Sequence, residues 1–210
     1  MVDLPNLTDF RKTYNSLKVQ LFHIQQQIRK KSSKEDIADK SKGYRYRIME
    51  LSMEDMEQRF IELNPSISHL IKVLKIKPYD PENNYYLFRD LFNTIIITSP
   101  DPYRPISEEE AKLFSPNTTW IAYLYGQPAG YVAVSLENSE EGTIGIVAGL
   151  GIIPKHRGKK LGYAIGSYLR TWFKSQNVVK IQCEIYENNE DSYHFVKKIG
   201  FHEIGEIYLK

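Results

Sequence analysis

Residues 142–173 read GTIGIVAGLGIIPKHRGKKLGYAIGSYLRTWF, and this stretch decides the fold. A run rich in Ile and Val is stopped by Pro154, and a short basic loop with Gly158 and Gly162 follows. Apolar residues then recur at helical spacing from Leu161 to Trp172, which predicts a helix over 161–175. A strand that enters a helix through a basic, glycine-bearing turn presents unpaired backbone N–H groups, which can bind an anion.

Two common phosphate-binding motifs do not fit this loop. A P-loop has a glycine five residues before its Gly-Lys pair and Ser or Thr after it, but Gly158-Lys159 has Ile153 and Lys160 there. The dinucleotide fingerprint begins well with GLG at 149–151, but Pro154 takes the place of its third glycine. A solvated basic loop is the alternative to an anion site.

The loop resembles the acyl-CoA site of the GNAT N-acyltransferase superfamily, whose signature is similar to V-x-P-x-x-R-G-x-G-x-G/A. Residues 152–164 read IIPKHRGKKLGYA, so Arg157 and Gly162 match the family pattern R/Q-x-x-G-x-G/A. The inner glycine of that pattern is Lys160 here. This departure leaves open how closely the backbone approaches a ligand at Lys160.

A second block strengthens the resemblance. Residues 189–201 read NEDSYHFVKKIGF, which resembles the family block N-x-x-A-x-x-h-Y-x-x-x-G-F, with Ser192 at the small-residue position. The resemblance extends from about Gly43 to the end of the chain. It implies an α+β fold, in which a mixed, mostly antiparallel central sheet is flanked by helices.

Composition narrows the class of protein. The 210 residues include 28 basic and 26 acidic side chains, for a net charge of +2, and this balance argues against a dedicated nucleic-acid binder. No run of 18 apolar residues and no signal-like leader is visible, so we expect no membrane insertion and a cytoplasmic location. The single cysteine, Cys183, cannot form an internal disulfide.

The first part of the chain differs from the rest, and we divide it into an N-terminal extension, 1–42, and an acyltransferase domain, 43–210. Seven apolar residues between Leu7 and Ile28 are spaced 3-4-3-4-3-4, which is a heptad seam. The seam predicts either a homodimer or helical-hairpin contact, or a helix that lies on its own domain. Residues 31–42 are charged and are interpreted as a linker.

From Gly43 onward the pattern predicts alternating strands and helices. We expect a strand at 44–51, a helix at 53–63 that ends at Asn64-Pro65, and a helix near 85–96. Ser107 and Glu110 form a capping box, and a hairpin turns at 126–128. A strand at 143–153 precedes the loop. The last elements expected are a strand at 178–186, a helix at 189–199 and two short strands that end at 210.

The resemblance implies which residues bind acetyl-CoA. Backbone N–H groups of Gly158, Lys159, Lys160, Leu161, Gly162 and Tyr163 would hold the pyrophosphate, with side-chain charge from Arg157, Lys159 and Lys160. In the family, the strand before the loop splays from its neighbour and pairs with the pantetheine arm, which implies main-chain contacts from Leu150, Gly151 and Ile152. Glycines 149 and 151 indicate a β-bulge there or room for core packing. Asn189 would contact the pantetheine, cap the following helix, or both.

Glu184 is the candidate general base. Strand alternation places Gln182, Glu184 and Tyr186 on one face and Ile181, Cys183 and Ile185 on the other. A subset of the family that acetylates protein N-termini carries a glutamate base five residues before the asparagine, and Glu184 has this spacing to Asn189. An exposed strand glutamate without a catalytic role is the alternative.

The general acid is where the match breaks. The usual tyrosine of the family corresponds to Val196, which cannot donate a proton. Tyr193, one helical turn earlier, is either a substitute or a packing residue. Cys183 alternates with two isoleucines, so we interpret it as a buried thiol rather than a nucleophile.

The resemblance implies an N-acetyltransferase that moves an acetyl group from acetyl-CoA, without a metal, to a primary amine on a protein N-terminus or lysine. A small-molecule amine acetyltransferase and a CoA-binding regulator with little turnover are the alternatives. Acidic residues in 101–110 and tyrosines in 85–103 would form a wall for a cationic or peptide acceptor.

Overall fold

The computed structural model describes residues 43–209. The strands are β1 (Tyr44–Ser52), β2 (Leu74–Pro78), β3 (Thr119–Leu124), β4 (Gln127–Ser139), β5 (Gly142–Ile152), β6 (Val178–Tyr186) and β7 (His202–Leu209). The helices are α1 (Met53–Val73), α2 (Tyr85–Ile96), α3 (Glu108–Lys112), α4 (Leu161–Ser175) and α5 (Glu190–Ile199). The expected helix at 161–175 and strand at 178–186 are confirmed to the residue, and the other expected elements are present except where stated below.

All seven strands form one sheet in the order β2-β3-β4-β5-β6-β1-β7. Neighbouring strands are antiparallel except for β5 and β6, which run parallel because α4 connects them. This mixed, mostly antiparallel sheet with flanking helices confirms the expected α+β fold. The N-terminal strand β1 lies between β6 and β7, at the opposite end of the sheet from β2.

The sheet has a separate apolar core on each face. The first core contains Trp120 and Val132 together with buried residues of α1, α4 and α5. Ile121 and Tyr131, each one position along the same strands, lie in the second core with α2 and α3. Because successive strand residues point to opposite faces, α1, α4 and α5 cover one face of the sheet, and α2 and α3 cover the other.

The sheet opens between its two parallel strands. Pairing between β5 and β6 runs from Thr143 with Val178 to Val147 with Cys183 and ends there in the described sheet. Beyond that point β5 continues to Ile152 and β6 to Tyr186. We call the space between these two unpaired ends the gap. The expected splay of the strand before the loop is therefore present.

The structure corrects three expectations. The helix expected to end at Asn64-Pro65 continues to Val73, with Pro65 inside it. Pro65 and Ile61, whose carbonyl loses its helical partner, are both exposed, so water can satisfy that carbonyl. Strand β2 was missed. The two closing strands are one strand, β7. The heptad seam and linker lie outside the described residues. Within residues 43–209, no helix combines the length and the apolarity that crossing a membrane requires.

Candidate active site

The loop between β5 and α4 carries two left-handed residues. A short turn, Pro154–His156, follows β5, and Gly158 then adopts a φ of 71°. Lys160, at the N-cap of α4, has a φ of 63°. The inner position that is glycine in the family pattern therefore keeps a glycine-like conformation here, although it carries a lysine side chain.

Several backbone N–H groups lack an acceptor where α4 begins. In the described part of the chain, no hydrogen bond is found from the N–H groups of Gly158, Lys159 or Lys160. Leu161 and Gly162 are the first residues of the helix, and such residues have no intrahelical acceptor. The expectation for Tyr163 is wrong, because its N–H donates to the Lys160 carbonyl at 3.1 Å. The N–H groups of 158–162 are therefore the ones in this loop that remain available to an anion.

The side chains of the loop divide between packing and solvent. Leu161 is buried in the first core, and the Tyr163 ring lies 5.1 Å from the Phe195 ring, centroid to centroid. A Cβ at Gly162 would lie 2.8 Å from Phe195 Cζ, so this glycine allows α4 and α5 to approach each other. Lys159 and Lys160 are exposed, as expected for side chains that meet a charged ligand.

Arg157 is engaged with main-chain carbonyls, and its expected contribution of charge to a pyrophosphate stays a prediction. Its Nε donates to the Ile152 carbonyl at 2.9 Å and its Nη1 to the Thr98 carbonyl at 3.0 Å. Its Nη2 bonds the Ile95 carbonyl and the Thr98 hydroxyl. The guanidinium therefore connects the end of β5 to the carbonyl-rich end of α2, where a cation is favoured by the helix dipole.

The β5 side of the gap offers main-chain groups. The register shift opposite Ala133 and Val134 leaves Ala148 without a partner in β4, which confirms the expected bulge. Ile153 N–H donates to β4, at the Ala129 carbonyl, so by alternation Leu150 and Ile152 direct their main-chain groups into the gap. Because the Ile152 carbonyl accepts from Arg157, only the N–H of Ile152 remains for a ligand in the gap.

Gly151 is required by packing on the face of the second core. A Cβ at this position would lie 2.6 Å from Tyr131 Cε1 and 2.8 Å from Ile95 Cγ2. Both interpretations made from the sequence therefore hold in this strand: Ala148 forms a bulge, and Gly151 makes room for side chains.

One cavity of about 860 Å³ joins the loop to the gap. Its wall includes Lys160 and Gly162 at one end and Glu184 with Asn189 beyond the gap. The other site residues that line it are Leu150, Gly151, Ile152, Gly158, Leu161, Tyr163 and Ser192, and the Arg157 side chain borders it as well.

Glu184 lies on the sheet face that α2 and α3 cover. It is half-buried, it pairs with Ile48 of β1, and Cys183 and Ile185 beside it are buried on the other face. Its neighbour on the same face, Gln182, donates to Glu50 Oε2 at 2.7 Å. The predicted alternation of β6 is confirmed, and it directs the Glu184 carboxylate toward the cavity.

Neither Cys183 nor Tyr193 fits a chemical role. Burial, followed by the nearby charge of Glu184, raises the pKa of the Cys183 thiol to about 12, so the thiol stays protonated and a poor nucleophile. The Tyr193 ring lies 4.4 Å from the Arg47 guanidinium and is not part of the cavity wall. Val196 is buried against the first core.

Asn189 is buried and uses both ends of its side chain. Its Oδ1 accepts from the Ser192 N–H at 3.1 Å and caps α5, which confirms the capping interpretation. Its Nδ2 donates to Asp101 Oδ2 at 2.6 Å. Asn189 therefore fixes the β6–α5 junction to the segment that connects α2 with α3.

Sequence reasoning placed Asp101 and Tyr103 only in a general acceptor wall and missed Tyr46 and Tyr131. All four line the cavity. Burial is the main cause that raises the pKa of the Tyr46 and Tyr131 hydroxyls, so both remain protonated near neutral pH. The signal available was the turn-rich run 99–105, SPDPYRP, which places a carboxylate and a tyrosine together.

The remaining acidic residues of the expected wall are used elsewhere. Glu110 is paired with Arg104, and Glu108 with Arg89. Among residues 43–209, no three or more His, Cys, Asp or Glu side chains are grouped so that they could hold a metal ion.

Solved structures share this fold at low sequence identity. Naa50 from Arabidopsis thaliana, in complex with the bisubstrate analogue CoA-Ac-MVNAL, is 24% identical with a TM-score of 0.51, over 63% of this chain and 85% of that one. The aminoglycoside 6'-N-acetyltransferase AAC(6')-Ih from Acinetobacter baumannii is 16% identical with a TM-score of 0.53, over 65% of this chain and 97% of that one. A GNAT-family acetyltransferase from Streptococcus pneumoniae is 20% identical with a TM-score of 0.50, over 63% and 86%.

No curated protein sequence matches the chain significantly. A family model described as acetyltransferase (GNAT) family matches residues 84–201, which is more than half of the chain and runs from the start of α2 to the end of α5. The match includes the loop, the gap and Glu184. The chain belongs to the acetyltransferase (GNAT) family.

Proposed function

We propose that this protein transfers an acetyl group from acetyl-CoA to a primary amine by direct attack of the amine on the thioester. The observation that carries this proposal is the continuous cavity, which leads from the N–H groups without an acceptor at the start of α4, through the gap, to Glu184. The cavity therefore connects an anion site to a carboxylate through an unpaired strand edge.

The parts of coenzyme A match the parts of the cavity. The N–H groups of 158–162 and the charge of Lys159 and Lys160 would bind the pyrophosphate at the positive end of α4. The pantetheine amides would pair with the main chain of Leu150 and with the Ile152 N–H, as a peptide pairs with a sheet edge. The CoA analogue bound to the Arabidopsis relative supports this co-substrate for the shared fold.

Glu184 acts as the base in this proposal. An alkyl amine with a pKa of about 10 is neutral only about once in a thousand molecules at pH 7, which costs roughly 4 kcal/mol. A carboxylate that takes the ammonium proton, directly or through water, lowers this cost. The neutral amine nitrogen then bonds to the acetyl carbon, the C–S bond breaks, and the second proton of the nitrogen passes to the departing thiolate, which gives the amide and CoA as the thiol.

The leaving group needs little help. A thiol with a pKa of about 8.5 leaves readily as thiolate, so the valine at position 196 does not prevent the reaction. An acetylated Cys183 intermediate is disfavoured by the burial and raised pKa of this thiol. Both observations favour direct transfer.

We propose a protein N-terminus or a lysine side chain as the acceptor. A small-molecule amine is the second candidate. The aminoglycoside acetyltransferases among the structural neighbours support the second candidate as a class to test. The experiment measures thiol release and acetylated product by mass spectrometry, with peptides, free lysine derivatives, polyamines and kanamycin as acceptors.

We expect turnover with at least one of these amines, and a fall of about 100-fold for Glu184→Gln, since general base catalysis contributes factors of this order. The matched control is Glu203→Gln, an exposed carboxylate on β7. Equal turnover of the Glu184→Gln variant and the wild type at every pH would remove Glu184 as base. Acetyl-CoA binding without turnover on any amine would favour a CoA-binding regulator.

A further inference from the structure

A carboxylate and three tyrosines meet in the cavity wall on the same sheet face as Glu184. These residues are Asp101, Tyr46, Tyr103 and Tyr131, and all four line the cavity. The Tyr46 hydroxyl is hydrogen-bonded with Tyr103, and both Tyr46 and Tyr131 lie within the electrostatic reach of Asp101. We call this group the tyrosine cluster.

The register of the sheet places the cluster over the gap. Tyr131 of β4 is paired with Gly151 on one side of the gap, and Tyr46 of β1 is paired with Tyr186 on the other side. Asp101 lines the same cavity and is bonded to Asn189, which follows the end of β6. Tyr186 and Glu184 are two residues apart on one strand face, about 7 Å along β6.

Hydrogen bonds hold the Asp101 carboxylate in place. Its Oδ2 accepts from Asn189 Nδ2 at 2.6 Å and from the Ser99 hydroxyl, and its N–H donates to Ser99 Oγ at 3.3 Å. Within residues 43–209, no hydrogen bond is found to the second oxygen, Oδ1. One oxygen is therefore fixed by the protein, and the other can accept from a ligand.

Two carboxylates, Asp101 and Glu184, lie in this part of the cavity wall. Arg104 is the nearest cation in sequence, but Glu110 accepts from both of its terminal nitrogens. Asp191 is a third carboxylate of the cavity wall, and the other basic side chains that line it are Lys160, Lys198 and Arg157, whose guanidinium bonds the Ile95 and Thr98 carbonyls. A ligand group that binds beside Asp101 is favoured if it carries a positive charge.

We propose that Asp101 and the tyrosine cluster bind the acceptor as an alkylammonium ion, before Glu184 removes its proton. This inference rests on the proposed acetyltransferase function and narrows its acceptor to amines that are protonated near neutral pH. The ammonium group donates to Asp101 Oδ1 and lies against the tyrosine rings, which attract cations through their faces.

The ionisation state of the tyrosines supports this assignment. Burial raises the pKa of the Tyr46 and Tyr131 hydroxyls, so these groups remain neutral and do not compete with Asp101 for the positive charge. Tyr46 also belongs to β1, which precedes the family match at 84–201. A strand outside the matched residues thus supplies part of the wall that would select the acceptor.

The test is a binding measurement that does not depend on turnover. We would titrate the CoA-saturated protein with n-butylammonium chloride and with 1-butanol, which carries a hydroxyl in place of the ammonium group, and follow binding by ligand-observed NMR. The wild type is expected to prefer the ammonium ion by about tenfold, as for a charge-assisted hydrogen bond.

Asp101→Asn tests the charge with little change of shape. The asparagine carbonyl can still accept from Asn189 and Ser99, so the variant should fold and bind CoA with an unchanged Kd, and the preference for ammonium should disappear. Tyr103→Phe should reduce the preference to a smaller extent, and Glu203→Gln should leave it unchanged. These two variants keep the test decisive if Asp101→Asn proves unstable.

Two results would overturn the inference. In the first, the Asp101→Asn variant still prefers the ammonium ion. In the second, the Asp101→Asn variant keeps the preference and the Glu184→Gln variant loses it, which would assign the ammonium site to Glu184. Neither result would contradict acetyl transfer itself. A failure of the proposed function is distinguishable, because it would appear as absent CoA binding or as CoA binding without turnover on any amine, and neither depends on the ammonium preference.

Discussion

Arg157 donates through Nη1 to the Thr98 carbonyl oxygen at 3.0 Å, across 59 positions of the sequence. The same guanidinium bonds the Ile95 carbonyl at 3.3 Å and the Ile152 carbonyl at 2.9 Å. The residue that marks the cofactor loop in the family pattern therefore ties that loop to α2. Through this connection, the loop and the C-terminal end of α2 are held together.

Arg157→Ala should lower the free energy of unfolding by about 1–2 kcal/mol, since several charge-assisted hydrogen bonds to carbonyls are lost. The measurement is urea unfolding. Lys155→Ala, on the exposed surface of the same loop, removes one positive charge without those bonds and should change stability little. Equal stability of the two variants would contradict a stabilising connection between the loop and α2 through Arg157.

Lys160→Gly should stabilise the fold. Lys160 has a φ of 63°, and a left-handed conformation costs a residue with a Cβ about 1 kcal/mol more than it costs glycine. Lys159→Gly is the matched control, because Lys159 has no positive φ and loses the same charge. A higher Tm for Lys160→Gly than for Lys159→Gly is expected, and the opposite order would argue against strain at the N-cap.

Gly151→Ala should destabilise the protein by about 1–3 kcal/mol, because the added methyl group overpacks the second core. Its Cβ would lie 2.6 Å from Tyr131 Cε1 and 2.8 Å from Ile95 Cγ2. Gly205→Ala on β7 is the control, since a Cβ there meets nothing within 4 Å. Similar Tm values for the two alanine variants would show that α2 does not pack on β5 as described.

The Glu110→Gln substitution should make the free energy of unfolding depend less on pH in the acid range. Burial raises the pKa of Glu110, but hydrogen bonds from Arg104 and the Ser107 N–H outweigh it, so the folded pKa is below the ordinary value of 4.5. The stabilisation is therefore present above pH 4.5 and is lost as the pH falls through the lower folded pKa.

At pH 7 we expect the Glu110→Gln variant to be less stable than the wild type by about 2 kcal/mol. The difference should narrow as the pH falls below 4.5, when unfolding is followed by circular dichroism in urea. Glu203→Gln, exposed on β7, serves as the control. A constant difference at every pH would contradict the assigned pKa shift.

Local features of the fold could be predicted from the sequence. The helix at 161–175, the strand at 178–186 and the capping box of Ser107 with Glu110 depend on periodicity and on neighbouring residues, and the structure confirms them. The prediction that the first helix ends at Asn64-Pro65 was wrong, because buried residues on both sides of the proline, Phe60 and Ile67, anchor α1. Tertiary packing there overrides a local stop signal.

Long-range partners could not be predicted. Asn189 meets Asp101 across 88 positions, and nothing in either segment indicates the other. The insertion of β1 between β6 and β7, which brings Tyr46 to the gap, is likewise a property of sheet order. The candidate acceptor wall therefore emerges only from the assembled sheet, whereas the cofactor loop is visible as one continuous stretch.

The most direct test is a calorimetric titration of the purified protein with acetyl-CoA at two salt concentrations. If the N–H groups of 158–162 hold the pyrophosphate, acetyl-CoA should bind, and affinity should fall severalfold between about 50 and about 300 mM NaCl, because exposed charges are screened. The Lys160→Gly variant should bind acetyl-CoA more weakly than the wild type does, and its affinity should depend less on the salt concentration. Absence of binding heat at either salt concentration, confirmed by unchanged Tm with excess acetyl-CoA, would contradict the account.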